Sequence, residues 1–353
     1  MTTRALTNPA ADARTAGRTA PAHDPVTARR LLRFAFAALA WLAAGGVTYI
    51  WPDIPDAAGH RLTDDLAAVQ VALGLLLLAV APLYGRLGAA GRWSYRNAPR
   101  LAVLAILLTV WQIASSKTGY WRQAYLPGPQ GIVEVYFKEH GRLLDSIRSS
   151  LILLATGVSV GVSVGFLTGL TTGWSRKVGY WTRPVLRFIG PVPATAIIPI
   201  ALFLFPSSFT AGVFLVALAT WFSVAVLTWS GVESVKSEYY DVARTQGAST
   251  LFLLLRIAVP ASLPHVFVGL FMGLGSALTV LVAAEMVGVK SGLGYFLDWS
   301  QSWGAYGHLI AGLFVMALLF SLLTTILFKI RDKVLAVSYT HLRAHENPEH
   351  LVC

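Results

Sequence analysis

Charge is what this sequence has least of. Only 13% of its 353 residues are Asp, Glu, Lys or Arg, about half the share of an ordinary soluble domain, which excludes most soluble enzymes. Cysteine occurs once, as Cys353, so there is no disulfide framework and no cysteine-based metal site. No stretch fits G-x-x-x-x-G-K-[ST], so the sequence has no phosphate-cradling P-loop. Low hydrophobicity is missing too: 55% of residues are hydrophobic, which excludes a disordered chain. Acidic residues number 17 against 28 basic ones, for a net charge of +11. That balance suits either nucleic acid or an anionic membrane surface until the charges are located.

Long uncharged runs locate them. A bilayer span needs roughly 20 apolar residues, and the runs are 34–51, 66–85, 101–116, 149–175, 188–232, 257–284 and 299–328. As one helix, the run 188–232 would reach about 68 Å, twice the hydrocarbon core. It must turn back, and Pro206-Ser207-Ser208 is the natural break. The fold class is therefore all-α integral membrane with about eight transmembrane helices, of which 101–116 is the weakest. Basic residues mark the cytoplasmic side. With both termini inside, 21 of the 28 Lys and Arg fall in cytoplasmic segments; the opposite orientation would put those 21 outside. The charge is then explained by topology, and the basic patch on a folded domain that nucleic acid requires is absent.

Residues 1–30, rich in Ala, Thr, Arg and Pro, read as a disordered cytoplasmic tail. Arg29-Arg30 before an apolar run resembles a twin-arginine signal, but seven further spans favour a positive-inside anchor. Residues 157–165, GVSVGVSVG, contain G-x-S-x-G twice. A serine nucleophile needs a strand–turn–helix elbow, which a continuous apolar run does not offer. Instead Gly157, Gly161, Gly165, Gly169 and Gly173 recur every fourth residue, giving one smooth helix face for close packing. His265 and Glu285 are the ionisable groups placed in or at the edge of the membrane, where such groups are functional candidates. Each has an interfacial alternative, and no second carboxylate or histidine lies nearby to make a catalytic dyad or metal site. Pro191, Pro193 and Pro199 in GPVPATAIIP predict either a kinked helix lining a translocation path or a simple helix start. Glu285 joins that path as a candidate.

The most informative segment is 233–264, ESVKSEYYDVARTQGASTLFLLLRIAVPASLP. A short helix after Ser237, capped by serine and ended by a left-handed turn at Gly247, would lie along the inner surface. It could dock into a partner's groove or simply lie at the interface. Asp241-Val242-Ala243, then Gly247, Ile257 and Val259-Pro260 are spaced as in the E-A-A-x3-G-x9-I-x-L-P loop of permease subunits of bacterial binding-protein-dependent ABC importers. VAAEMVGVKSGLGYF (282–296), LPGPQGIVEVYF (126–137) and the GPVPATAIIP stretch extend the resemblance to about 100–333. Together they look like the nitrate/sulfonate/taurine branch. Asp241 replaces Glu, Val242 replaces Ala and Val259 replaces Leu.

The resemblance implies a six-helix type I permease core at 99–333, preceded by two additional transmembrane helices at 31–98 and followed by an atypical tail at 334–353. It implies a transporter in the bacterial inner membrane, not an enzyme, without a metal or cofactor of its own. ATP would be bound by a partner. The implied partners are a second permease copy, two cytoplasmic ABC ATPases and a periplasmic or lipid-anchored solute-binding protein. Glu238, Asp241, Ala243, Arg244, Gly247, Ala248, Ile257 and Pro260 would shape the joint with the ATPase. The solute would be a small anion of the nitrate, sulfonate or taurine kind. An intramembrane enzyme or a secondary transporter is the alternative, each lacking its clustered groups or repeated halves. The tail pairs His341 with His345 at i, i+4, which suits zinc or simply a foreign or disordered end.

Overall fold

A computed structural model of the chain describes residues 25–54, 62–84, 86–121 and 125–343. The described residues are helical throughout, with no strand among them. Seven helices are long and apolar enough to cross a membrane, and one bent pair makes an eighth crossing if counted as a single span. Contacts divide the chain into two compact units, residues 1–123 with 128–130, and 124–127 with 131–353.

The first unit is built from α1 (Pro25–Ile50), α2 (Thr63–Leu83) and α3 (Gly88–Gln112). Phe34, Ala37, Ala38, Trp41, Leu77, Ala98, Ala102 and Ala105 form its core. Small residues on α3 bring the backbones close, which is how helices associate where lipid is as apolar as leucine. Residues 1–24 of the expected tail lie outside the described residues. Pro25–Arg30 belong to α1, with Pro25 at the first helical position, where its missing N–H has no cost. The weak run 101–116 is the apolar part of a 30-residue helix, Gly88–Lys117. Its first turns carry Arg92, Arg96 and Arg100 on an exposed face, where long stems let the charges reach water. The expected boundary at 98/99 therefore falls inside α3. A π turn, Ile113–Lys117, closes that helix. There Lys117 is buried: it donates to the carbonyl oxygens of Thr48 (2.9 Å) and Trp51 and pairs with Asp53 at 2.7 Å.

The second unit contains α4 (Pro129–Lys138), α5 (His140–Trp174), α6 (Arg176–Ile189), α7 (Ile198–Leu204), α8 (Ser208–Glu233), α9 (Ser237–Thr245), α10 (Thr250–Phe252), α11 (Val259–Val287), α12 (Leu293–Ser302) and α13 (Tyr306–Arg343). The glycine stripe of α5 lies on α8. Gly157 faces Val216, Gly161 faces Thr220, Gly165 faces Val224, Gly169 faces Thr228 and Gly173 faces Val232. Both series rise together, so α5 and α8 run parallel. The segment between them must therefore return across the bundle. It does so as α6 followed by a short 3-10 turn and α7, Ala194–Leu204, the two pieces bent by 85°. Ala194–Leu204 reaches only about 17 Å, too short to span alone. The break at Pro206–Ser208 is where expected: Ser207 caps α8 by accepting from the Thr210 amide, and Thr210 reaches back in a capping box. α11 descends against α8, with Ser262 and His265 at Gly231, Gly269 at Val224 and Gly273 at Thr220, so it is antiparallel. Leu153, Leu154, Val216, Ala277, Leu278 and Leu281 form the core where these three helices meet. α13 packs on α12 through Gly312, which touches Phe296 and Leu297. It runs on to Arg343, through the first half of the expected tail; His345 lies outside the described residues.

Candidate functional site

Two features of the second unit bear on the residues singled out in the sequence. One is the loop between α8 and α11; the other is the break in the bent span.

The loop carries α9 as a short exposed helix with no buried residue. Its start corrects the expected serine cap. Lys236, extended at ψ 139°, holds the cap position, Ser237 is already helical, and no side chain caps the helix. The link from α8 is so short that Ser237 is drawn into the first turn. Its end is as expected from the glycine: Gly247 has φ +80°. The Gly247 amide donates to Arg244 O (2.9 Å) and the Ala248 amide to Ala243 O (3.0 Å), the paired bonds of a Schellman turn. A Cβ on Gly247 would meet nothing within 4 Å, so conformation alone demands glycine there. Ser249 then caps α10 through the Phe252 amide at 3.3 Å.

Glu238, Asp241 and Arg244 lie on the exposed surface of α9, with Arg244 and Asp241 paired at 3.4 Å. Ala243 and Ala248 are half-buried beneath the turn. Tyr240 anchors the helix, stacking edge-on against Trp174 at the end of α5; burial pushes its hydroxyl pKa up from the ordinary value. Tyr239 and Val242 remain exposed on α9 beside Glu238 and Asp241, while Leu251, Phe252 and Leu255 are exposed at the start of the next apolar span. Ile257 lies in a π turn, Leu253–Ala258, and Pro260 opens α11. The widened turn before Pro260 absorbs its missing amide, and the helix runs on as α11.

The break supplies a cavity of about 340 Å³ between α8, α11 and the bend, lined among others by Gly190, Pro193, Thr195, Ser223, Ser276 and Thr279. No charged side chain lines it. Irregular backbone at membrane depth survives only where protein buries it or a cavity hydrates it. Pro193 lines this cavity; Pro191 does not, and faces outward. Glu285 does not line it either. It is 1% exposed, accepting from Ser150 Oγ at 2.7 Å and from the Gly294 amide at 2.8 Å. Gly292 and Gly294 leave room for it, since a Cβ on either would collide with Glu285. His265 sits against Gly231 with its Nδ1 buried and unpaired.

Sequence reasoning missed the junction of α6 with α8. Arg183 pairs with Glu233 and lies 4.8 Å above the Trp229 ring, tying the bent span to the residue that ends α8. The partners are far apart in sequence and each reads locally as a flanking charge. The hydroxyls of the cavity were missed as well; Ser276 and Thr279 share one face of α11, a spacing that could have flagged them.

Residues 161–336 match the family described as binding-protein-dependent transport system inner membrane component. A protein of Brucella melitensis named as a probable ABC transporter permease protein is 33% identical over 178 residues, covering 50% of this chain and 72% of that one. A nitrate import permease protein of Synechococcus elongatus is 32% identical over 220 residues, 59% of this chain and 76% of the relative. A taurine transport system permease protein of Escherichia coli is 29% identical over 241 residues, 66% and 87%.

Proposed function

Because the chain belongs to the family of binding-protein-dependent transport system inner membrane components, we propose that it is the membrane permease of an ATP-driven importer, coupled to its motor through α9. The observation carrying this is α9 itself, which has no buried residue, exposes Tyr239 and Val242, ends in the Gly247 turn and packs on α5 through Tyr240 and Trp174. A short helix with an apolar face suits insertion into a groove. The partner there is a cytoplasmic ABC ATPase, one per permease in a symmetric pair, and it binds the ATP. A second copy of this chain completes the pathway, and a periplasmic or lipid-anchored solute-binding protein delivers the solute. Both termini lie in the cytoplasm of a bacterial cell, as the distribution of basic residues supports.

ATP binds the closed ATPase pair better than the open one, and that difference supplies the bias. Closure draws the two α9 helices together and swings the helices between inward- and outward-facing arrangements. The hydroxyl-lined cavity at the break is the segment of the path this chain contributes, with Pro193 shaping its backbone. The solute is a small molecule bearing an acid group, of the nitrate, sulfonate or taurine kind, in line with the names of the relatives. No covalent chemistry is required of this chain.

The test is Gly247→Pro in the complex reconstituted with its ATPase. Proline cannot adopt φ +80°, so the Schellman turn must break. Loss of permease-stimulated ATP hydrolysis and uptake is expected, while the bundle stays folded. Normal assembly and uptake would sink the coupling role.

A further inference from the structure

At the end of the second unit away from α9 lies another cavity, of about 300 Å³. Its walls come from the start of α5 (Arg142, Asp145, Ser149), the turn after α11 (Lys290, Ser291) and α12 (Trp299). Arg142 is committed to the wall: its guanidinium stacks 4.6 Å above the Trp299 ring and pairs with Glu139 at 3.1 Å. Asp145 and Lys290 are different. Among the described residues neither has an ion pair, and both are exposed where they meet the cavity.

The turn that carries Lys290 is held firmly. Glu285 accepts from Ser150 on α5 and from the Gly294 amide at the start of α12, and Ser150 in turn accepts from the Leu293 amide at 2.8 Å. The Val289 amide donates to Ala284 O at 3.0 Å. One buried carboxylate thus joins α5, α11 and α12 and fixes the Lys290 turn against the helix that carries Asp145. That is preorganisation, the property separating a site from a dent.

We propose that this cavity binds a small zwitterion, its acid group at Lys290, its amine at Asp145 and its carbon stem against Trp299. A bare anion would gain Lys290 but face Asp145, and a bare amine would face the reverse; only a solute carrying both charges satisfies both walls. The volume admits a solute of a few heavy atoms. The site's role in uptake rests on the permease reading, but its chemistry does not. Glu285 is its positioning residue and touches no solute.

The experiment is saturable binding of radiolabelled taurine and β-alanine to the purified chain in lipid nanodiscs, without ATPase or binding protein. Both should bind, with ethanesulfonate and ethylamine competing roughly fivefold more weakly, since each loses one exposed charge contact. Lys290→Ala and Asp145→Asn, exposed and so harmless to folding, should each weaken taurine roughly fivefold. Asp145→Asn should also bring ethanesulfonate up to the affinity of taurine. The proposal is overturned by absence of saturable binding, by equal affinity for ethanesulfonate in the parent chain, or by indifference to both substitutions. Uptake by the full complex, measured separately, decides the permease reading by itself.

Discussion

A buried carboxylate without a cation is an expensive thing to keep, and Glu285 shows what makes it tolerable. Its oxygens accept from Ser150 and the Gly294 amide, and a charged acceptor strengthens both bonds. Glu285→Ala would leave those donors unpaired in a site closed to water, at a cost of about 2–3 kcal/mol. The expected result is a clearly lowered melting midpoint in nanodiscs, with Glu285→Gln losing less; equal midpoints for all three chains would refute this account. Gly247 is a simpler case, since only its φ of +80° matters. Gly247→Ala should cost roughly 1–2 kcal/mol in the turn, visible as faster amide exchange at Gly247 and Ala248 with the rest of the chain unchanged. Gly247 was readable in advance because a glycine closing a short helix has few other uses. Lys117 was not: nothing beside it in sequence marks it as buried, and only Asp53 and the Thr48 and Trp51 carbonyls, at and just after the end of α1, make its burial possible.

Among the elements, α5 and α8 are held by shape. Lipid tails compete with any apolar side chain, so the two backbones associate by close van der Waals approach over five glycines. A Cβ on Gly165 would lie 2.8 Å from Trp221 O and 3.0 Å from the Val224 Cβ, both parts of the opposing helix. Gly165→Leu should therefore force the pair apart, giving a lower melting midpoint and a loss of uptake. The same substitution at Gly275, which faces open space, should do neither. The close-packing face was legible from the four-residue repeat; its partner, α8, was not. The bent span was only half legible. Its uncharged length required a turn at 206–208, and Pro191, Pro193 and Pro199 predicted a kink or a helix start, but nothing local said that the chain bends by 85° there. The reason is tertiary: Gly190 lets the chain pass beside the Phe222 ring, and the cavity next to it accommodates the irregular backbone.

For the whole molecule, the scarce charges decide sidedness. If the basic residues mark the cytoplasm, α9 is inside and the turn after α12 is outside. Replacing Cys353, the sole cysteine, by serine allows single reporters at Tyr239 and Trp303, both well exposed. An impermeant maleimide on intact cells should label Trp303→Cys and leave Tyr239→Cys unlabelled until the membrane is opened. The reverse pattern would invert the molecule. The number of crossings was legible because apolar length is a property of the chain alone; which helices lie side by side was not, because it depends on faces meeting across long sequence separations. The bent span finally has a bearing on how the protein is made. A segment bent by 85° after α6, whose second piece reaches only about 17 Å, offers an insertion machinery no single straight span. It must wait for α8 to follow from the ribosome and be carried in beside it. A nascent chain halted at residue 207 should therefore leave this stretch open to added protease, and one halted after residue 233 should shield it.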